Sequence, residues 1–296
     1  MPEAGGYLFS NVGFSAKETP YLSFQKDETF SDLMPLGRTL TLRFNMQQRY
    51  CIGWGNMATH ERLVCPDHNR IESKYEQCAA CQNRTGFNPA FYYAASVSKQ
   101  QTAHNQKPHI LYLAHFGKGV IKVGISYAAR GNSRLLEQGA RSALILGVFP
   151  TALVAREHEA RIAALPGIAE TVQLRKKIAL LAGIYDEKAG ATELLAARKN
   201  AEATLGVKFD ESKVMALDSL YFPTKRPDLT ESHNATDQSM LSGKAVGMLG
   251  SLLFCTQQET LFFLPLKKYI GYEVELSYDE TAMTLPVRQT SLFNSI

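Results

Sequence analysis

Four of the chain's five cysteines crowd into one short stretch, as Cys51-x13-Cys65-x12-Cys78-x2-Cys81. A Cys-x2-Cys pair lets two thiolates converge on one ion from a tight turn. Tetrahedral zinc then needs two more soft ligands, and Cys51 and Cys65 supply them. A loop-rich segment with little apolar content also needs a staple, because its own core is too thin to hold it. His68 competes for a place, since Cys65-Pro66-Asp67-His68 is itself a Cys-x2-His step. Cys51 is preferred because it directly ends a strand and four thiolates make a common closed site. Cys255 lies alone in an apolar strand and reads as a core residue.

A second constellation follows in HILYLAHFGKGVIKVGIS, residues 109–126. If Gly117–Gly119 is the turn of a hairpin, Phe116 faces Val120, Ala114 faces Lys122 and Tyr112 faces Gly124. Side chains alternate between the faces of a strand. One face therefore carries Leu111, Leu113, Ile121, Val123 and Ile125, a core face. The other carries Tyr112, Lys122, Gly124 and Ser126, an open polar surface where a ligand backbone could approach. In the next segment, YAARGNSRLLEQGAR, Asn132 or Ser133 can cap a helix. Arg134, Glu137, Gln138 and Arg141 then fall on one side of it, with Leu135, Leu136 and Ala140 on another. A further helix, VAREHEARIAAL, offers Glu157, His158 and Glu159.

The elements that must position these groups can be read coarsely. Leu40, Leu42 and Phe44 alternate with Thr39, Thr41 and Arg43, predicting a strand with one buried face. Residues 87–104 form an aromatic then polar connector, with a short helix expected after Pro89. Helices are expected over 132–146, 153–165, 168–183 and 187–204, the last two separated by Gly183 and rich in Ala, Leu, Glu and Lys. The proline-bearing stretch 222–239 reads as an exposed loop. Ala245–Phe254, Glu259–Leu264 and Tyr272–Leu276 are short β-prone runs that suggest a small β-barrel or sheet at the C-terminus. The expected fold class is α+β. Its parts are a zinc-bearing β-rich region over 1–104, an α/β unit with a helical extension over 105–205 and a small β domain over 206–296.

Charge is unevenly spread. Residues 101–183 hold 11 Lys/Arg against 4 Glu and no Asp, so this segment alone carries the positive excess of a chain whose net charge is +4. A basic unit between mildly acidic flanks suggests a polyanion partner, nucleic acid being the commonest. An apolar fraction of 45% and a charged fraction of 20% are those of a folded protein rather than a disordered one. The opening MPEAGGYLFS lacks a basic flank followed by an apolar core, so it is not read as a signal peptide. No apolar run approaches the roughly 18 residues of a membrane span. The expected location is therefore the cytoplasm, where thiols stay reduced and clustered cysteines point to metal. No membrane partner is expected. Glycine-rich phosphate loops, the dinucleotide fingerprint and serine or cysteine triad signatures are missing from the sequence.

LYLAHFGKGVIKVGIS followed by RLLEQGAR resembles the GIY-YIG superfamily, closest to its phage-type branch. That resemblance implies two motif-bearing strands, a helix with an arginine, a helix with a glutamate, and divalent-metal-dependent cleavage of phosphodiester bonds in DNA or RNA. It makes Tyr112, Lys122, Arg134 and Glu159 the candidate catalytic residues. Tyr112 takes the place of the first-motif tyrosine. Arg134 matches the helix arginine, with Arg130 as alternative. Glu159 matches the ligand for Mg²⁺ or Mn²⁺, with Glu157 as alternative. The second motif departs from the pattern: it reads Lys122-Val123-Gly124, with no tyrosine. A non-catalytic, zinc-containing DNA- or RNA-binding protein reusing the same surface is the other function implied. Over nearly the whole chain, the cysteine quartet opened by CIGW, the middle motifs and the glycine-rich tail VGMLGSLLF together resemble the uncharacterised family DUF2797.

Overall fold

The structure is a computed structural model that describes residues 2–57, 59–87 and 97–284. Alternating apolar residues near the N-terminus build four strands, β1 (Gly5–Phe14), β2 (Pro20–Lys26), β3 (Thr29–Leu33) and β4 (Thr39–Arg49). The cysteine region follows with the two-residue strands β5 (Trp54–Gly55) and β6 (Arg62–Leu63), paired as a hairpin, and the helix α1 (Ala79–Thr85). The helix expected directly after Pro89 falls outside the described residues; α2 (Lys99–Asn105) comes later, capped by the Ser98 hydroxyl.

The middle unit contains β7 (His109–Gly117), β8 (Val120–Tyr127), α3 (Ser133–Gln138), β9 (Ser142–Phe149) and α4 (Ala152–Ala163). After it come β10 (Ile168–Ala169), α5 (Leu174–Ala179), α6 (Glu187–Leu205), β11 (Met215–Ala216) and α7 (Asp218–Tyr221). These strands form a five-stranded sheet in the order β10-β8-β7-β9-β11. The hairpin pairs Tyr112 with Gly124 and Ala114 with Lys122. At the turn the register shifts: Gly117, not Phe116, lies opposite Val120, and Phe116 sits in a bulge. Leu111, Leu113, Ile121 and Val123 bury one face under α4 and α6, as strand alternation requires.

Two expected helices are shorter than their sequences suggest. The helix over 132–146 ends at Gly139, whose φ of +74° is the left-handed geometry of a helix C-cap. Residues 142–149 then run as β9, the second neighbour of β7. Arg141 is therefore not on the helix face with Arg134; its backbone N–H donates to the His115 carbonyl and its guanidinium clasps Asp218 at 2.5 and 2.6 Å. Residues 168–183 hold β10 and only a short α5 with a 3₁₀ turn at Leu180–Ala182.

The last strands are β12 (His233–Asn234), within the segment expected to be loop, then β13 (Met240–Leu249), β14 (Leu252–Gln257), β15 (Thr260–Pro265) and β16 (Tyr272–Ser277). They do not form a separate barrel. They interleave with the N-terminal strands in one nine-stranded sheet, ordered β12-β15-β14-β13-β4-β16-β1-β2-β3. β16 lies between β4 and β1, pairing antiparallel with both, so the two ends of the chain are stitched together through backbone hydrogen bonds. No helix among the described residues is long and apolar enough to cross a membrane.

The face of β7 away from α4 and α6 carries Ile110, Tyr112, Ala114 and Phe116 into a core shared with Phe9, Phe24, Leu40, Phe44 and Val274 of the large sheet. The two sheets therefore meet over one apolar layer. Its junction is tight: the Gly250 turn between β13 and β14 abuts Gly139, and a Cβ on Gly250 would lie 3.0 Å from the Gly139 nitrogen. The buried Tyr221 hydroxyl donates to the Ala140 carbonyl at 2.7 Å, satisfying a group left free where α3 ends. Truncation before Tyr272 removes the strand joining β1 to β4 and exposes two sheet edges. The truncated chain should lose cooperative unfolding of the N-terminal strands, as read by circular dichroism and amide exchange. A truncated chain with the full-length melting midpoint would contradict this topology.

Candidate functional site

Two places gather chemistry-bearing side chains. In the first, the sulfurs of Cys51, Cys65, Cys78 and Cys81 all lie within 4.8 Å of one another. Tetrahedral zinc with bonds of ~2.3 Å sets its sulfurs ~3.8 Å apart, so this cluster can close on an ion with little movement. The loop after β4 delivers Cys51, β6 leads to Cys65, and the start of α1 presents Cys78 and Cys81. Burial pushes the Cys51 thiol up to about 11. Burial acts the same way on Cys78 but is outweighed by hydrogen bonds from the Cys81 backbone, Asn69 and its neighbouring thiols, which bring it to about 6. Three of the four cysteines are buried, and a buried thiolate needs a cation beside it. The donor set therefore fits a soft metal ion such as zinc. His68 does not join the cluster; it lines a neighbouring cavity on the large sheet. Cys255 is fully buried in β14.

The second place is a cleft of about 740 Å³ on the middle unit, bounded on one side by Phe87 and by His104 and Asn105 of α2. Tyr112, Lys122, Arg134 and Glu159 all line it. The hairpin places Tyr112 and Lys122, α3 carries Arg134, and α4, begun by a Thr151 hydroxyl that accepts from the Val154 N–H, carries Glu159. Tyr112 is not on an open surface, as alternation alone suggests; it is 1% exposed, because the large sheet covers that face of β7. Its hydroxyl accepts from Gln138 Nε2 at 2.7 Å. Burial pushes its phenol up, with Arg134 opposing and Glu159 reinforcing the shift. Gly124 makes room for the ring: a Cβ there would lie 2.5 Å from the Tyr112 hydroxyl.

Lys122 donates to the carbonyls of Glu170 at 2.6 Å and Val123 at 3.0 Å, and burial lowers its pKa. Arg134 is half-exposed and only 3.7 Å from Glu137, which binds Arg130 more closely at 2.6 Å. Glu159 is buried and held by Arg156 at 2.6 Å, one turn earlier on α4. Arg156 also reaches Glu170 at 3.0 Å. Glu157 is exposed and lies outside the cleft lining. Asn132 stands at the N-cap of α3, but its side chain donates to Glu18, in the turn between β1 and β2, rather than capping the helix.

Arg156 and Gln138 also line the cleft, beyond the residues expected there. Arg156 precedes Glu159 by three positions, the spacing of a helical ion pair, so that signal was legible. Helical spacing groups Gln138 with Arg134 but not with Tyr112, which its side chain meets only across the fold.

Gly124→Ala should drive the Tyr112 ring from its seat and destabilise the chain by about 1–3 kcal/mol, the usual cost of overpacking a core. Denaturant midpoints measure this, and an unchanged midpoint would refute the packing described. Removing bound metal with a chelator under reducing conditions should unprotect residues 51–85 in amide exchange while leaving 109–127 protected. Equal protection of 51–85 with and without chelator would show that no metal holds the cluster.

No curated protein and no solved structure matches the chain. The family model described as "Protein of unknown function (DUF2797)" matches residues 37–274, a span that contains the cysteine cluster, the whole middle unit and most of the large sheet. The chain belongs to the DUF2797 family.

Proposed function

We propose that this protein binds nucleic acid, seating a phosphodiester backbone in the cleft lined by Lys122 and Arg134 and using a zinc ion on its four cysteines as a structural staple. The order of elements supports it: a motif tyrosine on β7, an arginine on α3 and a glutamate on α4 resemble the layout of the GIY-YIG superfamily. The observation that carries the non-catalytic form of this reading is the Arg156–Glu159 pair at 2.6 Å inside the cleft. A guanidinium already neutralises the carboxylate on which that superfamily holds its metal. Tyr112 points the same way. Burial keeps its phenol protonated, so it serves as a hydrogen-bonding wall rather than a base. Lys122, where the second tyrosine is expected, supplies positive charge for phosphate instead.

Hydrolysis is the second reading, favoured by Tyr112, Arg134 and Glu159 sharing one cleft. Mg²⁺ or Mn²⁺ on Glu159 would supply Lewis-acid chemistry, and Arg156 would first have to leave that carboxylate.

Single- and double-stranded DNA and RNA, each with and without Mg²⁺ or Mn²⁺, separate the readings when scored for binding and for cleavage. Binding should need no divalent ion and should weaken steeply with salt, because released counterions set the slope. Arg134→Ala should weaken it about tenfold, the scale of one charged hydrogen bond. Glu159→Gln should preserve or strengthen it. Salt-insensitive or absent binding would overturn the proposal, whereas metal-dependent cleavage abolished by Glu159→Gln would establish hydrolysis. Freshly purified, reduced protein should carry about one zinc, and Cys81→Ser should lose it.

A further inference from the structure

Beyond Arg134 the cleft does not end. Lys122, Arg130, Arg134 and Gln138 also form the wall of a second depression, of about 790 Å³, so the two run into one groove whose second half follows the seam between the sheets. Lys177 on α5 and Lys267 and Lys268 on the 3₁₀ turn Leu266–Tyr269 line its far end. These lysines come from parts of the chain 90 residues apart, and Lys267 and Lys268 lie outside the basic middle segment.

Lys122 and Lys177 are held in place by backbone carbonyls without being neutralised. The Lys177 ammonium donates to the Gln138 carbonyl at 2.6 Å and sits 5.0 Å from the centre of the Phe116 ring. Among the described residues, no carboxylate lies within ion-pair distance of Lys122, Lys177, Lys267 or Lys268. The acidic groups of the same wall are engaged: Glu137 pairs with Arg130 and Glu170 with Arg156, leaving Glu76 as the remaining carboxylate on the lining. Burial, reinforced by Lys122, Lys267 and Arg134, holds the Lys177 ammonium down at about 8. Gathering like charges in a half-buried seam costs folding free energy, and a bound anion removes that cost.

The opposite end of the groove is aromatic. Phe87 is 54% exposed, and Tyr127 lies against His104 with ring centres 5.0 Å apart. Aromatic faces beside a cationic track suit the unstacked bases of a single strand.

We propose that Lys177, Lys267 and Lys268 form a second phosphate seat, which takes the backbone of a single-stranded nucleic acid where it leaves the Tyr112 cleft. The occupant named here rests on the nucleic-acid reading above; the lysine seat itself rests on the groove geometry alone.

Fluorescence anisotropy with single-stranded oligonucleotides of about 4 and about 12 nucleotides, within the range of site sizes for such grooves, tests the proposal. Wild type is compared with Arg134→Ala, Lys177→Gln and the double variant Lys267→Gln/Lys268→Gln. Lys267 and Lys268 are exposed, so the double variant should fold, and its melting midpoint checks this. Inorganic tripolyphosphate, titrated calorimetrically, is the probe without bases. The double variant should bind the long oligonucleotide about tenfold more weakly, with a salt slope smaller by roughly 1.4 for two lost single-strand contacts, and the short one within about twofold of wild type. Lys177→Gln and the double variant should both weaken tripolyphosphate binding. Long-oligonucleotide affinity and slope unchanged by the lysine substitutions, yet reduced by Arg134→Ala, would overturn the seat and leave the cleft reading intact. Tripolyphosphate bound through these lysines with no oligonucleotide bound by wild type would overturn the nucleic-acid occupant and uphold the seat. Binding of neither probe would overturn both.

Discussion

Everything at the site depends on β7 being covered on both faces. Leucines on one face pack under α4 and α6, and Tyr112 and its neighbours on the other enter the core shared with the large sheet. A half-exposed strand would leave Tyr112 on a surface. A strand sandwiched in this way buries the Tyr112 ring and leaves its hydroxyl on a polar cleft walled by the hairpin, α3 and α4, and the neighbouring depression carries the groove on to the turns of the second sheet. The cations there come from α3, α5, the hairpin and the turn before β16, and partial burial of Lys122 and Lys177 would sharpen their interaction with an anion.

The large sheet is the frame for that seam. Because β16 sits between β4 and β1, the turn preceding it is anchored from both sides, and that turn carries Lys267 and Lys268. The cysteine cluster begins directly after β4, so a metal ion there would brace the same strand that pairs with β16. The cysteine cluster, the sheet closure and the lysine turn thus share the β4–β16 pairing, although they lie far apart in sequence.

Legibility followed the range of the physics. The hairpin register was readable because a glycine turn between two period-2 runs leaves few alternatives, and the quartet because Cys-x2-Cys geometry is local. Phe116 slipped by one position since nothing in the sequence announces the bulge. β9 reads as a continuing helix in the sequence, because ALILGVF is apolar on both faces and has no period to distinguish strand from buried helix. Only the left-handed turn at Gly139 separates the two. The place of β16 in the sheet and the approach of Lys267 to Lys177 had no local signal at all, since both are set by long-range pairing. Glu159 lines the cleft, but Arg156 at 2.6 Å makes it a paired carboxylate rather than the open one the sequence suggests.

The central claim is that the seam between the sheets is where a polyanion lies. Amide exchange on the intact, metal-loaded protein, with and without a saturating single-stranded oligonucleotide, measures it directly. The account predicts slowed exchange in three segments that are distant in sequence: 130–138, 171–177 and 266–270. Protection confined to the cysteine region or to the outer strands β2 and β3, with those three segments unchanged, would contradict it.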